Sequence, residues 1–229
     1  MALVIGSGAY PAQAALPNAV QDAALVAARL ETLGYSVVSL ANPTREEVLR
    51  ALAILQVAAQ EAQQVVVYLS GHGGMQRGAA YYLTVDAVPS GGGLATSDFD
   101  MASVVSALPV SIFAKALSDR PRQKIIFFDA CRTPSELRLI QGAVPLLSWP
   151  AGVTVAYASA PGSEAYDGSN GRSPFAQAFL RHVTAEAPVL SDVLRMMRLD
   201  VVTGTQGAQV PWVQTSMLTK VFLQIDTPD

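Results

Sequence analysis

A chain of 229 residues, 51% of them hydrophobic, is long enough to bury one sizeable core, so we expect a single domain over residues 1–229. The net charge of −3, with scattered basic residues, excludes the electrostatic footprint of a DNA- or RNA-binding protein. Charged or Gln residues interrupt every apolar stretch before the ~18 residues that a membrane span requires. The single Cys excludes an internal disulfide, and no secretion signal follows Met1, so we expect a soluble cytoplasmic protein.

Short apolar runs alternate with segments of helical period along the chain. The runs are continuous rather than alternating, which is typical of strands buried on both faces of a parallel sheet. Strands are predicted at residues 2–5, 35–40, 64–70, 124–130 and 153–159, with a final run at 220–225 expected to close the sheet. Helices are predicted at residues 18–33, 45–62 (behind a capping box), 101–117, 173–185 and 192–202. This order predicts an α/β sandwich, in which the Gly-rich segment 90–100 forms a surface loop.

Two of the predicted strands end in reactive side chains. One strand leads from Ser70 into His72, and the other leads from Asp129 into Cys131. In an open parallel sheet, ligands bind outside the carboxyl ends of the strands, and neighbouring strands lie only about 4.8 Å apart. Because side chains alternate along a strand, Ser70 is expected to point as His72 does, and Asp129 as Cys131 does. These four polar side chains are therefore predicted to share one rim of the sheet.

Other interpretations of these residues stay open at this point. A lone Cys such as Cys131 is often a small buried apolar residue, and His182, inside a helical segment, is best interpreted as structural. A zinc site is a poor alternative, because zinc prefers three or four ligands and the chain has one Cys and two His. The Gly-Ser-Gly sequence at residues 6–8 suggests a nucleotide-binding loop, but its third Gly is missing and Pro11 follows.

The order of motifs resembles the caspase, metacaspase and bacterial orthocaspase superfamily of cysteine peptidases (peptidase family C14). In caspases the catalytic His precedes the Cys by about 50 residues, and His72 and Cys131 have a similar spacing. The resemblance covers nearly the whole chain, and bacterial orthocaspases are the most similar group. The resemblance rests on five stretches of the sequence, namely SGHGG (70–74), DACR (129–132), AYASAPGSEAYDGSNGRSPFAQAF (156–179), QDAALVAARLETLGYSVV (21–38) and PWVQTSM (211–217).

The resemblance implies a three-layer sandwich with a mostly parallel sheet, whose large-subunit-like part spans about 1–145 and whose small-subunit-like part spans about 146–229. It implies that Cys131 is the nucleophile and that His72 is its proton-transfer partner. The backbone N–H groups of Gly73 and Cys131 would then form the oxyanion hole.

Departures from the animal caspases imply a different specificity. Animal caspases hold a substrate Asp with a Gln and an Arg, and the matching positions here are Asp129 and Asp167. Asp22 and Ser70 match pocket residues of metacaspases. The resemblance therefore implies cleavage after Arg, and after Lys second, although Asp22 could also be a favourable helix first-turn charge and Asp167 an ordinary turn residue.

The function expected from the resemblance is that of an Arg/Lys-directed cysteine endopeptidase with protein or peptide substrates. A caspase-like signalling or scaffold domain without turnover stays open as an alternative, as does a nucleotide-binding domain. No cofactor is expected, and calcium activation stays open. We also expect that the chain is a domain excised from a larger protein with further domains or a regulatory partner.

Overall fold

A computed structural model describes most of the chain. The described residues are 1–11, 13–76, 78–87, 106–117, 123–131, 149–168, 171–184, 186 and 189–224. The expected loop at 90–100 lies outside these ranges. None of the described helices is long and apolar enough to cross a membrane.

The described residues include nine strands and five helices. The strands are β1 (Ala2–Gly6), β2 (Val37–Ala41), β3 (Gln64–Ser70), β4 (Gly73–Gln76), β5 (Ala79–Leu83), β6 (Ala107–Pro109), β7 (Gln123–Asp129), β8 (Val153–Tyr157) and β9 (Trp212–Thr215). The helices are α1 (Ala19–Thr32), α2 (Arg45–Ala58), α3 (Ser111–Lys115), α4 (Pro174–His182) and α5 (Leu190–Gly204).

The central sheet has six strands in the order β2-β1-β3-β7-β8-β9. All neighbours pair in parallel except β8 and β9, which are antiparallel. The strands β1, β3 and β8 are buried along their whole length, as their continuous apolar runs predict. The prediction of burial on both faces is wrong for β2, since it is an edge strand and alternates between half-buried and exposed positions.

The helices cover both faces of this sheet, so the predicted three-layer α/β sandwich is confirmed. Alternate residues of β7 separate the two cores: Phe127 belongs to the core beneath α1, α4 and α5, and Phe128 belongs to the core beneath α2 and α3. The capping box at the start of α2 is present, with Thr44 and Glu47 bonded reciprocally. His182 Nε2 donates a hydrogen bond to Asp200 Oδ2 at 2.9 Å, which agrees with a structural role.

Two predicted elements are wrong. The helix predicted at 101–117 is instead β6 followed by the short α3 in its described part, because Pro109 interrupts the helical pattern and 107–109 pairs with β5. The run at 220–225 is not a strand in its described residues. Its Val221 and Leu223 pack into the core as an irregular segment, while β9 takes the edge of the sheet. A separate three-stranded sheet, β4-β5-β6, was not predicted.

Candidate active site

The two strands that carry the candidate catalytic residues are neighbours in the central sheet. Ser70 at the end of β3 is the register partner of Asp129 at the end of β7. The Gly71 N–H donates to the Asp129 carbonyl at 3.3 Å, so the pairing continues one residue beyond the strand. His72 and Cys131 therefore leave the sheet at the same edge, as predicted.

The loop after β1 fixes the imidazole of His72. His72 Nε2 lies 2.7 Å from the Ala14 carbonyl oxygen, and because that oxygen can only accept, Nε2 carries a proton. The His72 backbone N–H donates to the Tyr10 hydroxyl at 2.9 Å, and the two rings lie 4.6 Å apart. Burial lowers the pKa of His72, whereas the Ala14 carbonyl and the charge of Asp167 act to raise it. A neutral ring with a proton on Nε2 leaves Nδ1 as a base.

The thiol of Cys131 is held by the backbone of Ala165. Sγ donates to the Ala165 carbonyl at 3.3 Å and accepts from the Ala165 N–H at 3.4 Å. Burial raises the pKa of this thiol, and the charges of Glu164 and Asp129 raise it further. Within the described residues, the thiol and the imidazole are each bonded to a backbone group rather than to each other.

Gly73 combines tight packing with a backbone N–H that the hairpin does not use. Because the Leu83 N–H donates to the His72 carbonyl at 3.0 Å, the register pair Gly73 and Tyr82 is of the non-hydrogen-bonded type. The Gly73 N–H therefore points away from β5. A Cβ at this position would lie 2.7 Å from Phe128 Cζ and 2.8 Å from the Tyr81 carbonyl oxygen, which explains the Gly.

Asp129 lies in a buried polar cluster beneath the rim, on the sheet face that α1 and α4 cover. Its Oδ2 accepts from the Tyr68 hydroxyl at 2.8 Å and from the Ser173 hydroxyl at 2.6 Å. Burial raises the pKa of Asp129 to about 6, although both hydrogen bonds favour its ionised form and the charge of Asp167 disfavours it.

Asp22 enters the same cluster from the first turn of α1 and is completely buried. Its Oδ2 accepts from the Ser173 N–H at 2.9 Å, whereas its Oδ1 has no hydrogen-bond partner among the described residues. Burial raises the pKa of Asp22 to about 7, and the charges of Asp129 and Asp167 add to this, against the charge of Arg172. A simple first-turn charge would be solvated, so the buried, half-satisfied carboxylate favours a binding role.

The charge of Asp167 acts on the imidazole of His72 and on the carboxylates of Asp22 and Asp129. Its Oδ2 accepts from the Asn18 N–H at 3.4 Å, and Asn18 Nδ2 donates to the Asp167 carbonyl at 2.7 Å. Burial raises the pKa of Asp167, whereas this N–H and the charge of His72 lower it. The structure thus brings Asp22, Asp129 and Asp167 within electrostatic reach of one another.

Ser70 lies beside this cluster, since it pairs in register with Asp129 and is buried. Its carbonyl accepts from the Ser7 N–H and from the Tyr82 hydroxyl, which fixes the strand end. Among the described residues no group of three or more His, Cys, Asp or Glu side chains is arranged to hold a metal ion.

Several residues of the site were not predicted from the sequence. Tyr10 and Ala14 lie in an irregular loop whose path no local pattern indicates. Ser173 did carry a signal, because a Ser before Pro174 is typical of a helix N-cap, and its hydroxyl indeed accepts from the Ala176 N–H at 2.9 Å. The second role of that hydroxyl, as a donor to Asp129, depends on the packing of α4 against the sheet.

Comparisons with known proteins agree with this fold. A search of curated proteins found no match. The fold is similar to the crystal structure of caspase-1 from Spodoptera frugiperda, with a TM-score of 0.71 and 16% sequence identity, over 97% of this chain and 88% of that chain. The family model of the caspase domain (peptidase family C14) matches residues 1–223. The chain therefore belongs to the caspase-domain family of cysteine peptidases.

Proposed function

We propose that this chain is an endopeptidase that cleaves after Arg, and more slowly after Lys, with Cys131 as nucleophile and His72 as its proton-transfer partner. The observation that carries the specificity is the cluster of buried Asp22, buried Asp129 and half-buried Asp167, in which Asp22 Oδ1 lacks a partner among the described residues. A guanidinium group would supply both the missing donor and the missing positive charge. The cluster lies directly beneath the strand ends that present the thiol and the imidazole.

Electrostatics favour a cation over an anion in this cluster. One carboxylate 4 Å from a guanidinium contributes about 4 kcal/mol at an effective dielectric constant near 20, before desolvation is subtracted. Arg is preferred to Lys because its planar group offers several donors in a fixed geometry and is more weakly hydrated. An Asp side chain would meet three like charges, so cleavage after Asp is not expected.

The proposed reaction starts from a neutral thiol and a neutral imidazole. His72 Nδ1 accepts the Sγ proton as the sulfur attacks the scissile carbonyl carbon, and the Ala14 carbonyl supports the resulting imidazolium through Nε2–H. The N–H groups of Gly73 and Cys131 stabilise the tetrahedral oxyanion. The imidazolium gives its proton to the departing amine, which leaves a thioester on Cys131. Water, deprotonated by His72, then releases the acid product and restores the thiol.

Substrate binding must also release the thiol from Ala165. The N–H and the carbonyl of Ala165 both face Sγ, in a segment between β8 and α4 that has no strand partner among the described residues. An extended peptide could bond this backbone as an added strand, as peptides do at other exposed edges. The thiol would then be free to approach Nδ1 of His72.

The test compares two fluorogenic peptides that differ only in ending with Arg or with Asp. We expect cleavage of the Arg peptide alone, and its loss in Cys131→Ala and in His72→Ala. Asp129→Asn and Asp167→Asn should each lower kcat/KM for the Arg peptide by a factor equivalent to about 2–4 kcal/mol if the ion pairs are desolvated. Neither variant should gain activity on the Asp peptide, because removing a negative charge does not create a positive one.

A matched control is Asp192→Asn, which changes another acidic residue in the first turn of a helix, at the start of α5. This variant should keep the kcat/KM of the unmodified chain. Cleavage by purified Cys131→Ala would refute the nucleophile, and an unchanged Arg preference in both pocket variants would place the pocket elsewhere. A folded chain that binds an arginyl ketone without cleaving any peptide would support the non-catalytic alternative.

A further inference from the structure

We propose that Tyr10 is a positioning residue for the His72 imidazole, which it holds with both its hydroxyl group and its ring. This inference rests on the proposed function, since it assigns a role in the reaction of His72. Tyr10 lies in the loop after β1 and is 6% exposed. Neither its chemistry nor its place in the chain marks it as part of the site.

The Tyr10 hydroxyl replaces one hydrogen bond of the β4–β5 hairpin. In a regular antiparallel ladder, a bonded pair exchanges two direct N–H to carbonyl bonds. His72 and Leu83 make one of these directly, from Leu83 N–H to the His72 carbonyl at 3.0 Å. The other passes through Tyr10: the His72 N–H donates to its hydroxyl at 2.9 Å, and the hydroxyl donates to the Leu83 carbonyl at 2.9 Å.

This inserted hydroxyl holds the hairpin open at the residue that carries the imidazole. Burial raises the pKa of Tyr10, so the hydroxyl keeps its proton and its donor role toward Leu83. Without the hydroxyl, the His72 N–H is free to bond the Leu83 carbonyl directly. That closure would draw the backbone of His72 toward β5 and turn its side chain away from the strand ends.

The ring of Tyr10 restricts the imidazole from a second direction. The two ring centroids lie 4.6 Å apart with planes inclined by 54°. Together with the Ala14 carbonyl at Nε2, this contact leaves the imidazole one orientation. The loop after β1 therefore contacts His72 at its backbone, its ring face and one ring nitrogen.

Gly71 is the sequence signature of this arrangement. A Cβ at Gly71 would lie 2.5 Å from the Tyr10 hydroxyl oxygen, closer than any side chain allows, and 3.1 Å from the Ser7 carbonyl oxygen. The first Gly of the SGHGG sequence is thus required where the hydroxyl crosses the strand end. Tyr10 and Gly71 form a complementary pair, and a change in one should alter the effect of a change in the other.

The experiment uses Tyr10→Phe, which keeps the ring and removes only the hydroxyl. We expect kcat for the Arg peptide to fall on the order of 10-fold, since the hydrogen-bonded placement of the base is lost, while KM changes less than about 2-fold. The matched control is Tyr35→Phe, another buried Tyr whose hydroxyl bonds Gln64 at the opposite end of the sheet. Tyr35→Phe should leave both constants unchanged, whatever its effect on stability.

A second readout does not depend on activity. The chain contains two His residues, so the His72 ring signals can be followed by NMR with His182 as an internal reference. In the unmodified chain we expect a nuclear Overhauser effect between the rings of Tyr10 and His72 and a protonated Nε2. In Tyr10→Phe the pH titration of His72 should shift.

Three results would overturn the proposal. They are unchanged kcat in folded Tyr10→Phe, an unchanged His72 titration in that variant, and the absence of the ring contact in the unmodified chain. If Tyr10→Phe does not fold, the ring contact in the unmodified chain decides alone. A failure of the proposed peptidase function can be distinguished from a failure of this inference. In that case the unmodified chain would cleave neither peptide, while the ring contact between Tyr10 and His72 would still be seen by NMR.

Discussion

On the proposed function, the ionisation of Asp22 should depend on whether a substrate cation is bound beside it. Its side chain is completely buried, its Oδ1 has no partner among the described residues, and its pKa is raised to about 7 by burial and by its acidic neighbours. A raised pKa means that the folded state disfavours the ionised form. A residue that binding needs in its ionised form therefore destabilises the substrate-free protein, which is a common trade-off at functional sites.

Asp22→Asn should stabilise the substrate-free chain and weaken its binding of Arg. The pKa of an Asp in the unfolded chain is about 3.9, so ionisation of Asp22 costs folding free energy progressively between about pH 4 and pH 7. Above pH 7 we expect the variant to be more stable by roughly 1–3 kcal/mol, since each pKa unit corresponds to about 1.4 kcal/mol. Below pH 4 the gain should vanish. Thermal unfolding at several pH values measures the difference.

An arginyl ketone inhibitor completes this test. Once its cation is bound, the ionised carboxylate of Asp22 should stabilise the folded chain rather than destabilise it. The inhibitor should raise the Tm of the unmodified chain most above pH 7, where Asp22 is ionised, and should raise that of Asp22→Asn much less. Asp192→Asn serves again as the control. A stability loss in Asp22→Asn at pH 8 would show that the carboxylate is favourably placed even in the empty pocket.

The thiol of Cys131 should be protonated at neutral pH in the substrate-free chain. Burial, Glu164 and Asp129 all raise its pKa, and burial lowers that of His72, so no thiolate–imidazolium pair is expected at neutral pH. Iodoacetamide should label the chain once, with a rate that rises through alkaline pH and has no plateau below pH 7. Mass spectrometry of timed samples measures this rate. A fast plateau at acid pH would reveal an ion pair, and labelling only after denaturation would make Cys131 a structural residue.

At the scale of elements, the start of α4 connects the helix layer to the pocket. Ser173 caps α4 through its hydroxyl oxygen, and the same hydroxyl donates to Asp129 while its N–H donates to Asp22. Ser173 therefore bonds both the first turn of α4 and the carboxylates of Asp22 and Asp129. Ser173 thus couples the stability of α4 to the geometry of Asp22 and Asp129, the two buried carboxylates of the proposed pocket.

Ser173→Ala should therefore affect both stability and specificity. Loss of an N-cap costs about 1–2 kcal/mol of unfolding free energy, and KM for the Arg peptide should rise because Asp129 loses a donor that favours its ionised form. Thr44→Ala removes the comparable cap of α2, which lies on the other face of the sheet. Thr44→Ala should cost a similar free energy of unfolding and leave KM unchanged. An unchanged KM in Ser173→Ala as well as in Thr44→Ala would show that the start of α4 does not affect substrate binding.

The elements differ in how far the sequence predicts them. The buried strands β1, β3, β7 and β8 were predicted because fully covered parallel strands have continuous apolar runs of strand length. The strands β4, β5 and β6 were missed, since all three are short, β4 and β6 contain Gly or Pro, and β6 pairs with β5 across a long sequence separation. The segment after β9 was misassigned because apolar residues that fill a core as irregular chain look like a strand.

The same division applies to the site. The strand-end positions of His72 and Cys131 follow from the register of two predictable strands, whereas the contacts of the loop after β1 do not. Ala14 acts through its carbonyl, which every residue type possesses, so no sequence pattern can identify it. Asp22 and Asp167 were selected by resemblance alone, and only the tertiary structure brings them together with Asp129.

At the scale of the whole molecule, pairing across the sheet joins the segments before and after residues 132–148. β7 pairs with β8, and Asn18 bonds the backbone of Asp167 and Gly168. The connection between these strands includes Arg132 and Arg138, which lie outside the described residues. Because the sheet forms from one continuous chain, the site does not need a cut to assemble.

We therefore expect the enzyme to be active as a single uncut chain. After brief incubation with an arginyl ketone inhibitor that labels active sites, intact-mass spectrometry should find the label on the full-length chain. Self-cleavage at arginines such as Arg77, Arg138 or Arg172 would then be incidental. Arg172 should be left in place for this test, because its charge influences Asp22. Label found only on cleaved chains would make self-processing the activating step.

The residues of the proposed pocket are far apart in the sequence, so the ribosome synthesises them at different times. Ser173 contacts Asp22 and Asp129, and Asp167 contacts Asn18, so residues encoded earlier await partners encoded later. At about 5–20 residues per second, the ribosome needs roughly 8–30 seconds to pass from Asp22 to Ser173. Cys131 is made late in that interval, and from then until Ser173 is made the growing chain has the thiol but not the complete proposed pocket. We therefore expect a nascent chain of this design to acquire its proposed Arg specificity only after the start of α4 has been synthesised.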